Sequence, residues 1–258
     1  MATKFLQRSV LALALTLGGM AAWAQAPKAN AVKQSSYTYE SGDGNNASAV
    51  VWVPEHNIYL TAFAGNAEFP LEGFRSTGNN VFSGVTDLDL RGMWYDAKKD
   101  RLYANAAGEA GWYVVDLGEK GKPEGFWQTV CEGQNQPDFQ SVLTSTGKVV
   151  VGYSEGAFYF YNPKNGKAKN SVELSGYVGS SLNSTSVGYT GNSKYPLALL
   201  DAAEGYIVYY NMKGESLGKT ILPNDAVTSE MFRFSFANGL AWLYDGETRT
   251  WTSYKVFE

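Results

Sequence analysis

Carboxylates are the side chains of this sequence whose spacing could do chemistry. Glu109, Glu155, Glu204 and Glu247 each fall six or seven residues after the start of a short apolar run, in the segments AAGEAG, YSEG, DAAEG and DGETR. Glu68, in AGNAEF, follows its run at ten residues. Gathered on one rim, such groups would attract a cation or hydrogen-bond sugar hydroxyls. Their mutual repulsion would raise some of their pKa values, enough to make a general acid. Glycoside hydrolysis needs two carboxyls about 5–5.5 Å apart for retention, or about 6.5–9.5 Å for inversion. The candidates for that work are Glu109, Glu155, Glu204, Asp89 and Asp138. The competing reading is a turn residue ahead of glycine, kept because it is soluble and suits a hairpin.

Two further side chains complete a candidate ligand rim of Glu109, Glu155, Glu204, Glu247, Arg91 and Trp94. Arg91 is suited to a ligand carboxylate or to one of the nearby aspartates. Trp94 offers an aromatic face of the kind that binds sugars and peptides. Asp43, Asp89, Asp138 and Asp225 sit in polar segments between the repeated runs and could supply further acceptors. No cofactor is expected. Calcium is the one metal these oxygens would suit, and it needs six to eight of them at short range.

Other chemistries lack their residues. The chain has one histidine, His56, and one cysteine, Cys131, so a Cys/His zinc cluster and an internal disulfide are both excluded. His56 is expected in an exposed turn and Cys131 as a shielded thiol. The Gly-rich segments GDGNN and EGQNQPD carry neither a phosphate-loop ending nor a strand-to-helix context, so nucleotide binding is not indicated.

The elements that would position these groups are short strands. Runs rich in Val, Tyr, Phe and Trp alternate with Gly/Asn/Asp turns, and no stretch keeps a 3.6-residue period. One unit recurs five times: a strand, a tight polar turn, and a second strand ending in small residues. Its turns centre on His56, Lys98, Thr146, Asn192 and Asn238, 42 to 48 residues apart. A third strand follows, clearest at Trp112-Tyr113-Val114-Val115-Asp116, Phe158-Tyr159-Phe160-Tyr161-Asn162 and Tyr206-Ile207-Val208-Tyr209-Tyr210-Asn211. A Gly-bearing turn then leads to a fourth. The last unit, read from Phe232, has room for three strands only, and the run Ser36-Tyr37-Thr38-Tyr39-Glu40 has no unit of its own. Placed as the missing outer strand, it would close a ring and remove an exposed edge.

This periodicity resembles the β-propeller repeat superfamily of exported proteins, with the Tyr-Val-Thr-Asn and Trp-Asp repeat types as loose relatives. The resemblance spans about residues 35–258 and is architectural, since the Gly-His and Trp-Asp signatures are absent. It implies an all-β, five-bladed β-propeller closed by an N-terminal strand in the last blade, forming a single domain over 35–258.

The start of the chain reads as a signal peptide over 1–26. Lys4 and Arg8 precede an apolar run from Val10 to Leu17 that is too short to span a bilayer, and small residues end it at Ala24 or Ala26. Residues 27–34 read as a flexible leader. Losing Lys4 and Arg8 shifts the formal charge from −4 to −6, which argues against nucleic acid as a partner. No later segment is long and apolar enough for a membrane span. The expectation is an exported protein, periplasmic or extracellular in a bacterium, acting as a binding or interaction scaffold. Its loop face would take a protein or carbohydrate ligand. The alternative is a carboxylate-dependent hydrolase of the glycosidase or lactonase type.

Overall fold

The computed structural model describes residues 25–40, 46–65 and 69–258. The expected signal segment, apart from Gln25 and Ala26, lies outside the described residues, as do Asp43 and Glu68. Strand β1 (Pro27–Thr38) comes first. A four-stranded antiparallel sheet follows, made of β2 (Ala47–Val53), β3 (Ile58–Phe63), β4 (Pro70–Phe74) and β5 (Asn80–Val85). A second contains β6 (Leu90–Asp96), β7 (Arg101–Ala106), β8 (Trp112–Leu117) and β9 (Pro123–Cys131). A third contains β10 (Thr144–Ser145), β11 (Val150–Ser154), β12 (Ala157–Tyr161) and β13 (Ala168–Glu173). The rest is one eight-stranded sheet. It holds β14 (Gly188–Tyr189), β15 (Leu197–Asp201), β16 (Tyr206–Tyr210), β17 (Ser216–Ile221), β18 (Phe234–Ala237), β19 (Leu240–Asp245) and β20 (Thr250–Phe257), with β1 inserted between β17 and β20.

The first strands of the units lie side by side in a closed cycle: β2 beside β6, β6 beside β10, β10 beside β14, β14 beside β18, and β18 beside β2. They are not hydrogen-bonded to one another as a sheet, so buried polar side chains and loops join them. Ser48 donates to Leu90 O at 3.4 Å, and the Ser235 hydroxyl bonds both the N–H and the C=O of Val50 at 3.0 and 2.9 Å. Asn105 accepts from the N–H groups of Gly92 and Leu143 at 2.9 and 3.2 Å and donates to Ser141 O at 2.8 Å. Val142 N–H bonds Thr185 O at 2.8 Å, and Asn183 donates to Ser229 O and Phe232 O, both at 2.8 Å. A Cβ on Gly92 would lie 2.1 Å from Leu143 O, so this crossing accepts glycine alone. Between the sheets pack aromatic and aliphatic side chains, among them Trp112, Trp242, Trp251, Tyr209 and Phe158 at 1 % exposure or less.

Two expectations change. Residues 27–34 are not a leader: β1 starts at Pro27 and runs antiparallel to β20, from Pro27 opposite Phe257 to Thr38 opposite Thr250. It also meets β17 in parallel at Asn30. Its polar sequence is that of a strand with much of its surface in water. Asn30, Lys33 and Gln34 are exposed, while Ala31 and Tyr37 are buried. The second change is at Phe232 and Arg233, which precede the strand that begins at Phe234 rather than opening it.

Tyr37 anchors the closing strand. Its ring stacks on Phe74 at 4.0 Å, and its hydroxyl donates to the fully buried Glu72 and accepts from Asn80 at 2.9 Å. Ser83 donates to the other Glu72 oxygen at 3.1 Å. Tyr37→Phe removes one partner of a buried carboxylate, and a loss of about 1–3 kcal/mol in urea unfolding is expected. An unchanged midpoint would show that the aromatic packing alone anchors the strand.

Burial lifts many tyrosines above their ordinary 10.0; Tyr244 is pushed up to about 12 against the opposing influence of Arg249, and Tyr39 and Tyr209 move the same way. The unfolded chain therefore releases these protons first. Stability should fall as pH rises from about 10 through 12, by roughly 1.4 kcal/mol per pH unit for each buried phenol. Phenolate absorbance and circular dichroism followed together should change in one cooperative step. Full tyrosine titration near pH 10 with the fold intact would contradict this.

Candidate functional site

Antiparallel pairing puts the hairpins between first and second strands on one face, and the second-to-third loops and unit-to-unit loops on the other. On this second face the recurrent glutamates occupy exposed positions. The residue that organises each of two of these turns is the aspartate ending the second strand. Asp201 accepts from the N–H of Glu204 at 3.2 Å, and Asp245 from that of Glu247 at 2.8 Å. Burial would raise the Asp245 pKa, but bonds from Thr248 and from the Glu247 and Thr248 amides, with Arg233 nearby, bring it below 3.8. Glu109 lies in a short 3₁₀ turn, Gly108–Ala110, and Glu155 holds a left-handed conformation at φ 47° before Gly156.

One pair of carboxylate candidates does share a cleft. Asp138 and Glu155 line a cavity of about 360 Å³ with Tyr153, Ser180, Ser184 and Thr185. Among the described residues, no three His, Cys, Asp or Glu side chains are grouped to hold a metal ion. Asp225 is exposed beside a separate small cavity that includes Lys33 and Tyr254.

Met231 lies between that cleft and a second of about 490 Å³, lined by Asn46, Arg91, Gln140, Ser229, Phe232 and Arg233 among others. Arg91 is the second residue of β6, with its side chain 5 % exposed. Its terminal nitrogens meet the two oxygens of Asp89 at 2.8 and 2.9 Å, and Asp89 also accepts from Gly65 N–H at 2.7 Å. Burial pulls the guanidinium pKa down and Asp89 pushes it back up. Nε of Arg91 is buried with no hydrogen-bond partner among the described residues. The Phe232 ring covers the guanidinium with its centroid 5.2 Å from Cζ.

Phe232 and Arg233 are consecutive non-glycine residues with φ of 50° and 58°. Each such conformation costs on the order of 1–3 kcal/mol and persists only when the surroundings impose it. Here Phe232 N–H donates to the Thr185 hydroxyl at 2.7 Å, Phe232 O accepts from Asn183, and Arg233 N–H donates to Ala47 O at 3.2 Å. The pinned segment sets both side chains at the second cleft. Nothing in the local sequence pattern signals it, because an apolar-polar alternation from Phe232 reads as strand.

Trp94 does not belong to this rim. It lies four residues further along β6 than Leu90, 6 % exposed, edge-on to Trp112 at 5.3 Å and stacked on Tyr103 at 6.0 Å. It lines an opening of about 420 Å³ with Pro54, Gly147, Gly191 and Gly239, which are on or beside the first-to-second-strand hairpins. His56, on that same face, is not simply exposed. Its ring bonds Asp100 at 3.1 Å, and Tyr95 donates to Asp100 at 2.7 Å. Cys131 is half-buried, and burial pushes its thiol pKa up, away from nucleophilic use. Asn183 of the Asn183-Ser184-Thr185 sequon is fully buried with its amide donated twice, so the folded protein offers no glycosylation acceptor there.

No family model matches the chain, and no curated protein matches it in sequence. Solved structures do match in shape, and these neighbours are β-propeller-like folds. A crystal structure of Myxococcus xanthus glutaminyl cyclase aligns with a TM-score of 0.57 at 10 % identity, over 88 % of this chain and 98 % of that one. A Bacteroides thetaiotaomicron protein of unknown function aligns with a TM-score of 0.52 at 12 % identity, over 91 % of this chain and 76 % of that one. The fold is of the propeller kind, with several four-stranded sheets. No helix among the described residues is long and apolar enough to cross a membrane.

Proposed function

We propose that this chain is an exported five-bladed β-propeller that binds a ligand or protein partner on its loop face without turning it over. The cycle of five first strands supports the blade count, with β1 as the outer strand of the last blade. The observation that carries the binding reading is the pair of polar clefts meeting at Met231, the second of them lined by a backbone segment held in an unfavourable conformation. Strain of this kind accumulates where a surface is set up to receive something. The likeness to the cyclase is one of fold and carries no activity across.

The test is a thermal-shift screen of residues 25–258 against oligosaccharides, short peptides and calcium, beside a Glu109→Gln/Glu155→Gln double variant. A ligand at 100 times its Kd should stabilise the protein by about 2.7 kcal/mol. Stabilisation by any of these ligands, without product formation, supports a binding protein. If none stabilises it, the loop face has no small ligand of these classes and the scaffold reading narrows to protein partners.

A second reading has one specific observation behind it, the shared cleft of Asp138 and Glu155. A hydrolase using that pair should cleave aryl glycosides or lactones and lose at least about a hundredfold in rate in both Asp138→Asn and Glu155→Gln. Equal rates in wild type and variants would remove this reading.

A further inference from the structure

Arg91 is more than a staple between two strands. A guanidinium that served only to hold Asp89 would be satisfied with its remaining nitrogen in water or on a backbone carbonyl. Here Nε is buried and unpartnered beside a cleft that already holds Arg233 and the amide side chains of Asn46 and Gln140. A buried donor without an acceptor is unfavourable, and a ligand oxygen delivered through the cleft relieves it. Asp89 takes one N–H from each terminal nitrogen, which leaves the edge made by Nε and its neighbouring terminal nitrogen to offer charge-assisted bonds to a second anion. Phe232 and Met231 give the same cleft an apolar side. One acceptor group next to an apolar side chain is the chemistry of a peptide's last residue.

Building on the loop-face reading above, we propose that the Arg91 cleft binds a carboxylate attached to an apolar group, as at the C-terminus of a peptide ending in an aliphatic residue. Arg91 Nε donates to one carboxylate oxygen, Arg233 supplies positive potential at the cleft, and Gln140 or Asn46 can donate to the second oxygen. The aliphatic side chain lies along Phe232 and Met231.

The experiment is calorimetric titration of residues 25–258 with N-acetyl-leucine, N-acetyl-leucinamide, succinate and inorganic phosphate. Wild type should bind N-acetyl-leucine at least tenfold more tightly than the amide and than phosphate. Comparable binding of succinate would make the source a small organic acid rather than a peptide end and would overturn the apolar part. Arg91→Lys keeps a cation beside Asp89 but lacks the Nε donor. It should retain a cooperative unfolding transition and lose at least tenfold in affinity for the acid. Should Arg91→Lys fail to fold, Gln140→Ala, on an unburied loop, should weaken the acid threefold or more while leaving the amide unchanged. Equal binding of acid and amide, no binding of either, or full affinity in both variants overturns the site. The loop-face reading is judged separately by the oligosaccharide and peptide screen, which also probes the Asp138–Glu155 cleft.

Discussion

A chain lacking residues 27–40 is expected to lose its cooperative unfolding transition and to collect as aggregate. The reason lies in what β1 covers. Along its length it pairs with β20, and it touches β17 on its other side, so its removal exposes two strand edges at once. Exposed edges recruit other chains. Tyr37 and Tyr39 leave with it. They are 2 % and 5 % exposed, stack on Phe74 and lie 4.0 Å from Phe63, and bond Glu72 and Thr61 respectively. Burying roughly 150–250 Å² for each ring is worth up to about 4–6 kcal/mol at ~25 cal/mol per Å². Together that rivals the whole stability of an ordinary domain, about 5–15 kcal/mol. Adding a synthetic peptide of residues 27–40 to freshly refolded truncated chain should restore soluble, cooperative protein by strand addition. A truncated chain with the urea midpoint of the full one would show that the ring closes without its N-terminal strand.

The second large effect is expected at Asn105. Its carbonyl oxygen accepts from the N–H groups of Gly92 and Leu143, and its amide donates to Ser141 O and to Gln136 at 2.6 Å. Asn105 is fully buried, so Asn105→Ala leaves several backbone groups without partners. At about 1–3 kcal/mol for each such group, a loss of roughly 3–5 kcal/mol is expected. Asn105→Leu should fare no better, since it restores volume but no bonds. Asn165→Ala, in an exposed turn, is the control and should change stability by less than about 1 kcal/mol. Urea unfolding at constant m value measures all three. A cost under 1 kcal/mol for Asn105→Ala would mean that the units hold together through apolar packing alone.

The fold was legible because each unit repeats the same local instructions. A strand of β-branched and aromatic residues, a polar turn and small residues at the close are all readable within twenty positions. The third strands fall within a residue or two of where the pattern puts them, as at Trp112–Leu117 and Tyr206–Tyr210. What was not legible is what depends on distant partners. The strand character of residues 27–34 comes from β20, more than two hundred positions away, and a run such as Lys28-Ala29-Asn30 contains no local sign of it. The cleft around Arg91 draws Asn46, Gln140 and Phe232 from three separate loops, and no spacing rule links them. Trp94 illustrates the opposite error. Three residues from Arg91 in sequence suggests a shared rim, but along an extended strand that is about 10 Å, enough to carry it to the other opening.

Lys28 and Glu258 form an ion pair at 2.9 Å, and Glu258 N–H bonds Ala26 O, on the face opposite the clefts. A tether joined at Ala26 or at Glu258 therefore departs from a single spot, on the side away from the clefts. A molecule tethered there, to a bead, a carrier domain or a cell envelope, would hold its two clefts outward with nothing of its own attachment in their path.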